Sequence, residues 1–274
     1  MFITTKTKAP KKWAQASDDE LRNIKIVCLD IDETFSTKGK ITAEAFSSLW
    51  ALKKAGFGVV PITGRPAGWC DHIARFWPVD AVIGENGAFT FFMQHGVRRR
   101  TDTPGSFEDA KNRLSTLSEA ILDRFPNAKW ASDQRFREYD LAIDVAEDVE
   151  PWPNDDVDEL LKICKTEGAN AKLSSVHVNA WFGDYDKRKG LDHWLASDAP
   201  GWAGAKFIED QMLFIGDSPN DEPMFGSFKY SVGVANLAKY IDRLEHPPKW
   251  MTEKESGAGF AEMAMRLVNL ASHK

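Results

Sequence analysis

The chain has 274 residues, 43% of them hydrophobic and 28% charged, and a formal net charge of −6. That is enough apolar material for one large domain or two smaller ones, and the acidic balance excludes a general affinity for nucleic acid or anionic membrane. Three widely spaced cysteines, Cys28, Cys70 and Cys164, read as core residues in a reducing compartment, and no apolar stretch approaches the length of a membrane span.

The N-terminal MFITTKTKAPKKW has lysines with no apolar run behind them, so it reads as a mobile tail and not as a secretory signal. The expectation is a cytoplasmic protein with a tail over 1–19. Ser17-Asp-Asp-Glu-Leu then looks like a capped helical turn. Ile24–Leu29 is a short apolar run that reads as a buried parallel strand, and it ends directly in Asp30 and Asp32. After the polar FSTKGKIT, Thr42 fits an N-cap, and an amphipathic helix runs to Gly56. A second β-type run, FGVVPI over 57–62, ends in Thr63-Gly64-Arg65-Pro66, where Pro66 suits a first helical position. That helix stops at Pro78, and a third run over 80–88 ends in Gly and Asn. Short connections in β-α-β-α-β order point to a right-handed parallel sheet.

The pattern then changes. A hairpin turning at His95-Gly96 is expected over 88–101, a long helix from Phe107 to Phe125, and strands over 128–131 and 138–145. The acidic EDVEPWPNDD precedes a helix over 157–166 and two more strands over 171–174 and 176–182. The α/β pattern returns with a helix over 188–195, a strand over 211–215 ending in Gly216-Asp217, a short strand over 230–234 and a closing helix over 257–271. The fold class read from this order is α/β: a doubly wound, Rossmann-like parallel-sheet core, over 20–87 and 184–274, with an inserted α+β cap over 88–183.

Four points fall at strand ends or helix starts: Asp30/Asp32, Thr63-Gly64, Lys187, and Asp217 with Asp221 in GDSPND. Singly each has a plainer reading, as an acidic turn, a strand-to-helix cap, a solvated lysine or a capped helix. Together, in this order, they suit phosphoryl transfer. Ligands bind beyond the carboxyl ends of strands in open α/β sheets. Converging carboxylates call for a hard cation with oxygen ligands, such as Mg²⁺. A carboxylate can attack phosphorus to form an acyl phosphate, while a lysine and helix N-terminal N–H groups neutralise the phosphoryl oxygens.

These residues resemble the haloacid dehalogenase superfamily of phosphatases, in the family's motif order. Asp30-x-Asp32-x-Thr34 looks like motif one, Thr63-Gly64 motif two, Lys187 motif three and Gly216-Asp217-Ser-Pro-Asn-Asp221 motif four. The Glu85-Asn86-Gly87 turn and the large insert resemble the branch acting largely on sugar phosphates, and GDSPNDEPMF looks most like the sucrose-phosphate and mannosyl-phosphoglycerate phosphatases. One departure is Glu33, where these relatives usually carry glycine. The resemblance implies Asp30 as nucleophile and Asp32 as general acid, then base. It implies Mg²⁺ held by Asp30, the carbonyl of Asp32, Asp217 and Asp221, and a phosphoryl group held by Thr63, Gly64, Lys187 and Asn220. Lys187 has an apolar residue four places on, Leu191, whereas Lys189 is followed directly by Gly190; both spacings occur in relatives, and Lys187 is preferred because its partner shares a helical face.

A carboxyl of ordinary pKa, about 3.9, is protonated in about one molecule in a thousand at neutral pH, so a general acid in motif one requires about 4 kcal/mol of environmental bias. The insert is expected to supply it by closing over the site. Arg98–Arg100, Arg135, Arg137, His177 and Trp181 are candidates to recognise a leaving group, though a solvated hairpin face explains the arginine run at least as well. Arg65, next to motif two, is the favoured substrate contact. The expected partner is a small phosphorylated metabolite, with no nucleic acid and no membrane. Two other readings stay open: a phosphomannomutase-like transferase, because YDKRKGL also resembles that family's third motif, and a non-catalytic sugar-phosphate binder.

Overall fold

The computed structural model describes residues 9–105, 110–197 and 209–272. In chain order, β1 (Lys11–Lys12) and α1 (Asp18–Leu21) precede β2 (Ile26–Leu29), α2 (Ala43–Lys54) and β3 (Gly58–Pro61). Next come α3 (Ala67–Phe76), β4 (Ala81–Gly84), β5 (Phe89–Gln94), β6 (Val97–Asp102), α4 (Ala110–Arg124) and β7 (Asp140–Asp144). They are followed by α5 (Asn154–Thr166), β8 (Asn170–Leu173), β9 (His177–Trp181) and α6 (Lys187–Ala196). The last stretch holds β10 (Met212–Gly216), α7 (Glu222–Ser227), β11 (Tyr230–Gly233), β12 (Trp250–Met251) and α8 (Ser256–Ser272). The first residues of the helix expected from Phe107 lie outside the described residues.

The chain divides into two compact units, Met1–Pro61 with Gly204–Lys274, and Ile62–Ala203. The first is built on a sheet of order β1-β12-β11-β10-β2-β3, all of whose described pairs are parallel. Its adjacent strands β2 and β10 carry no polar side chain, with Val27, Cys28, Leu29, Leu213, Phe214 and Ile215 fully buried, as strands covered on both faces require. Pro61 can end β3 because that strand is an edge. Thr42 caps α2 by accepting from the Ala45 N–H at 3.2 Å, and the helix buries Ala45, Leu49 and Leu52. It packs against α8, which buries Phe260, Met263, Ala264 and Leu267. Phe225 of α7 meets Phe214 of β10 edge to face, with ring centroids 5.6 Å apart.

The second unit is α+β. It holds two antiparallel three-stranded sheets, β4-β5-β6 and β7-β9-β8, with α3, α4, α5 and α6. His95 and Gly96, with φ of 52° and 74°, make the tight turn between β5 and β6. The architecture is thus α/β, a parallel-sheet core with inserted antiparallel sheets.

Four features of the structure differ from the sequence expectations. The 1–19 tail is part of the fold from residue 9 onward: Lys11–Lys12 pair with Trp250–Met251, and Trp13 is buried edge-on against Trp250 at 5.6 Å. Residues 128–131 form no strand, only a single bridge between Trp130 and Ile143. The unit containing the insert is wider than 88–183. Strand β4 pairs antiparallel with β5 and meets Ile62 only through a bridge at Ile83, while α6 packs on the turn after β4, where a Cβ on Gly87 would fall 2.0 Å from the Asp186 carbonyl oxygen. Helix α5 also starts at Asn154, earlier than expected, because Asp155 and Asp156 sit in its first turn, where negative charge complements the helix dipole.

Candidate active site

Strands β2 and β10 lie side by side in register, Leu29 opposite Ile215, and the Asp30 N–H continues the ladder to the Ile215 carbonyl oxygen at 2.9 Å. Asp30 and Asp217 therefore leave the carboxyl ends of two adjacent parallel strands, and both are buried. Asp221 comes from the helical turn Pro219–Asp221, and its Oδ2 accepts the backbone N–H groups of Asp217 at 3.0 Å and Ser218 at 3.3 Å. Gly216 makes this possible, since a Cβ there would sit 2.3 Å from that same oxygen. One carboxylate oxygen from each of Asp30, Asp217 and Asp221 lies within 4.8 Å of the others. Three buried carboxylates offering oxygen alone fit a hard divalent cation, and their mutual repulsion favours one. Asp32 is half-buried in the turn after Asp30, and its carboxylate stands outside this group. Asn220 is buried and accepts from the Ser218 hydroxyl at 2.8 Å.

Asp217 is held from both sides. Thr34 Oγ1 donates to its Oδ1 at 3.3 Å, and Asn236 Nδ2 donates to its Oδ2 at 3.2 Å. Glu33, which departs from the glycine of the resembled motif, adopts φ of 54°, the left-handed conformation that glycine takes without cost. The site thus keeps the backbone that the motif calls for, on a residue that must be held there.

In the second unit, Thr63 is fully buried, and its Oγ1 accepts the Arg65 N–H at 3.1 Å. Its carbonyl oxygen accepts the Asn86 N–H at 3.0 Å. The Glu85-Asn86-Gly87 turn has three consecutive positive φ values, 43°, 55° and 110°, and holds the Thr63-Gly64-Arg65 turn by backbone bonds. Glu85 is fully buried and accepts from the N–H groups of Ala67, Glu138 and Tyr139. Burial and then the Asp140 carboxylate push its pKa up to about 8, against those N–H donors. Arg137, also fully buried, donates to the Gly64 carbonyl oxygen at 2.8 Å and pairs with Asp140 at 2.9 Å and Asp133 at 3.0 Å.

The two motif-three lysines differ sharply. Lys187 is 1% exposed at the start of α6, whereas Lys189 is half-exposed and pairs with Asp184. Arg65, the favoured substrate contact, is engaged inside its own unit. It is buried, pairs with Asp133 at 3.2 Å and with Glu147, and stacks over Trp69. A guanidinium shared by two carboxylates is an internal crosslink. Burial would raise the Glu147 carboxyl, but hydrogen bonds from His177 and Arg65 outweigh it and bring it down to about 2. Among the other cap candidates, Arg98 pairs with Asp71, Arg100 with Asp102 and Glu138, and the Trp181 indole N–H donates to the Tyr185 carbonyl oxygen, while Arg99 and Arg135 are exposed.

No family model and no curated protein matches the sequence. Solved structures do. A Thermoplasma acidophilum protein is 20% identical with a TM-score of 0.67, covering 90% of this chain and 99% of its own. The C-terminal domain of C. albicans trehalose-6-phosphate phosphatase is 13% identical with a TM-score of 0.69, covering 97% and 99%. A HAD-superfamily subclass IIB sugar phosphatase is 13% identical with a TM-score of 0.59, covering 90% and 99%. The chain shares the fold of these structures, among them one of the haloacid dehalogenase (HAD) superfamily.

Within that haloacid dehalogenase fold, sequence reading missed Asn236 and Ser256. Asn236 lies in VANLAK, which has no acidic or glycine-rich signature, and Ser256 in EKESGAG reads only as a helix start; the tertiary structure brings them to Glu33 and Asp217. Sequence reading also offered Arg137 as one of several candidates to recognise a leaving group, because nothing in a single sequence tells a buried arginine from an exposed one.

Proposed function

We propose that the protein is a Mg²⁺-dependent phosphatase that hydrolyses a small phosphorylated metabolite, of the sugar-phosphate class, through an aspartyl-phosphate intermediate. The observation that carries this reading is the convergence of the buried carboxylates of Asp30, Asp217 and Asp221 at the ends of neighbouring parallel strands, with Asp32 two residues beyond Asp30. The motif order and the likeness to a trehalose-6-phosphate phosphatase and a sugar phosphatase support it further.

In this reading Asp30 attacks phosphorus with a carboxylate oxygen, and the bond from phosphorus to the ester oxygen breaks. Asp32 gives its proton to that departing oxygen. Water then attacks the phosphorus of the acyl phosphate, Asp32 takes a proton from it, and the Asp30 carboxylate leaves, so that inorganic phosphate is formed and both residues return to their starting states. Mg²⁺, held by Asp30, Asp217, Asp221 and the carbonyl of Asp32, would supply positive charge to the phosphoryl oxygens. Thr63, the Gly64 N–H, Lys187 and Asn220 would donate to the same oxygens, and losing one such donor typically costs about 2.7–4 kcal/mol of transition-state stabilisation. Between the two candidate lysines, burial favours Lys187 for this work.

The test is phosphate release from a panel of hexose and disaccharide phosphates with Mg²⁺. Release that needs Mg²⁺ and is lost in Asp30→Asn is the expected result; isomerisation of a sugar phosphate that needs a bisphosphorylated activator, with no net phosphate release, would replace this reading with a mutase.

A further inference from the structure

Two non-glycine residues next to the acidic cluster adopt left-handed backbone, Glu33 with φ of 54° and Ser256 with φ of 49°. Such a conformation is strained for an L residue and persists only where surrounding bonds over-determine it. The bonds are present, and they converge. Ser256 Oγ donates to Glu33 Oε2 at 3.2 Å, across 223 residues of sequence. The other Glu33 carboxylate oxygen accepts the Gly39 N–H at 3.3 Å, and the Glu33 N–H donates to Ser36 Oγ at 3.1 Å. Between the two strained residues lies Asn236. Its Oδ1 accepts the Ser256 N–H at 2.9 Å, and its Nδ2 donates both to the Glu33 carbonyl oxygen at 3.0 Å and to Asp217 Oδ2 at 3.2 Å.

We propose that Asn236 is a positioning residue for the cation site, and that Glu33 and Ser256 form a latch that fixes its amide against Asp217. The latch rests on reading the three aspartates as a cation site. An amide has one acceptor and two donor hydrogens, and here each is used in the direction that only this orientation permits. Asp217 receives Asn236 on one oxygen and Thr34 on the other, which locks its rotamer. Partners that orient a metal-ligating carboxylate commonly change metal affinity by about 10–100-fold when removed. The same bonds run back through Glu33 to the 33–40 turn, so cation occupancy and the conformation of the turn that carries Asp32 are coupled through Asn236.

The experiment measures Mg²⁺ affinity in the absence of substrate, from the Mg²⁺ dependence of the melting temperature and from titration calorimetry. It uses the wild type, Asn236→Leu, Glu33→Gly and the double variant. Asn236→Leu keeps the side-chain size and removes every polar contact; Glu33→Gly relieves the strain and opens the latch. The expected result is a weakening of about tenfold or more in Asn236→Leu, a smaller weakening in Glu33→Gly, and no further loss when Glu33→Gly is added to Asn236→Leu. Glu33→Gln, which still has an acceptor for the Gly39 N–H and a partner for Ser256, should restore most of the loss seen with glycine. Affinity within twofold of wild type in Asn236→Leu, or additive losses in the double variant, overturns the proposal. If Asn236→Leu does not fold, unchanged affinity in Glu33→Gly overturns it. A wild type that binds no Mg²⁺ removes the cation reading and the latch together, an outcome distinct from a wild type that binds and variants that bind equally well.

Discussion

Arg137 donates through Nη1 to the carbonyl oxygen of Gly64 at 2.8 Å. The same guanidinium is fully buried between Asp133 and Asp140, and although burial works against its charge, Asp140 and then Asp133 hold its pKa above that of an ordinary arginine. An arginine that sequence reading offered to a leaving group is therefore fastening the turn that carries Thr63 and Gly64.

Removing that arginine leaves the buried Asp140 without its counter-charge and Asp133 with Arg65 alone. Arg137→Met is expected to lower stability by about 3–5 kcal/mol, the usual cost of breaking one side of a buried ion pair, read as the midpoint of urea unfolding. Arg137→Lys should recover little, because an ammonium cannot reproduce the planar fork that meets Asp133, Asp140 and Gly64 together.

Glu85 makes stability depend on pH. Its folded-state pKa, about 8, lies above the unfolded value of 4.5, so the folded state binds more protons than the unfolded state between these values. Its contribution to stability is therefore fully present below pH 4.5 and is lost as pH rises through about 8. Glu85→Gln mimics the protonated form and should flatten the melting temperature across that window. Glu147, held at about 2 by His177 and Arg65 against its burial, acts with opposite sign, its contribution being lost as pH falls from 4.5 toward 2.

Gly216→Ala tests the packing that brings Asp221 into the cluster. The new Cβ would lie 2.3 Å from Asp221 Oδ2 and 2.9 Å from the Phe214 ring, and neither neighbour is the far end of a flexible chain. Asp221 must move, so Mg²⁺-induced stabilisation should fall by at least about tenfold in apparent affinity, read by thermal shift.

Much of this architecture is legible in the sequence because it rests on local signals. The apolar run before Asp30, the Thr42 cap, the His95-Gly96 turn and the Ser17 capping box all appear where their side chains require them. What escaped depends on distant partners. Lys11–Lys12 is too short to show an alternating pattern, and it is a strand only because Trp250–Met251 offers an edge. Strand β4 has the apolar run of a parallel strand, yet its pairing is decided by the hairpin beside it. At the site, the aspartates declare themselves by spacing, whereas Asn236 and Ser256 acquire a role only from the hydrogen bonds they make. Adjacency to a motif likewise says nothing about the burial of Arg65, whose carboxylate partners lie 68 and 82 residues away.

If Asp32 serves as general acid, its importance must scale with the leaving group's need for a proton. Asp32→Asn should slow hydrolysis of an alkyl phosphate such as a sugar phosphate by several orders of magnitude, while slowing p-nitrophenyl phosphate far less, since p-nitrophenolate departs unprotonated. Equal loss on both substrates would mean that Asp32 acts otherwise.

The most direct test of the account is a comparison of inorganic phosphate release by the wild type and Asp30→Asn over the same sugar-phosphate panel with Mg²⁺. The account predicts multiple turnovers by the wild type on at least one sugar phosphate and background release by Asp30→Asn. Equal release by the two proteins would contradict it.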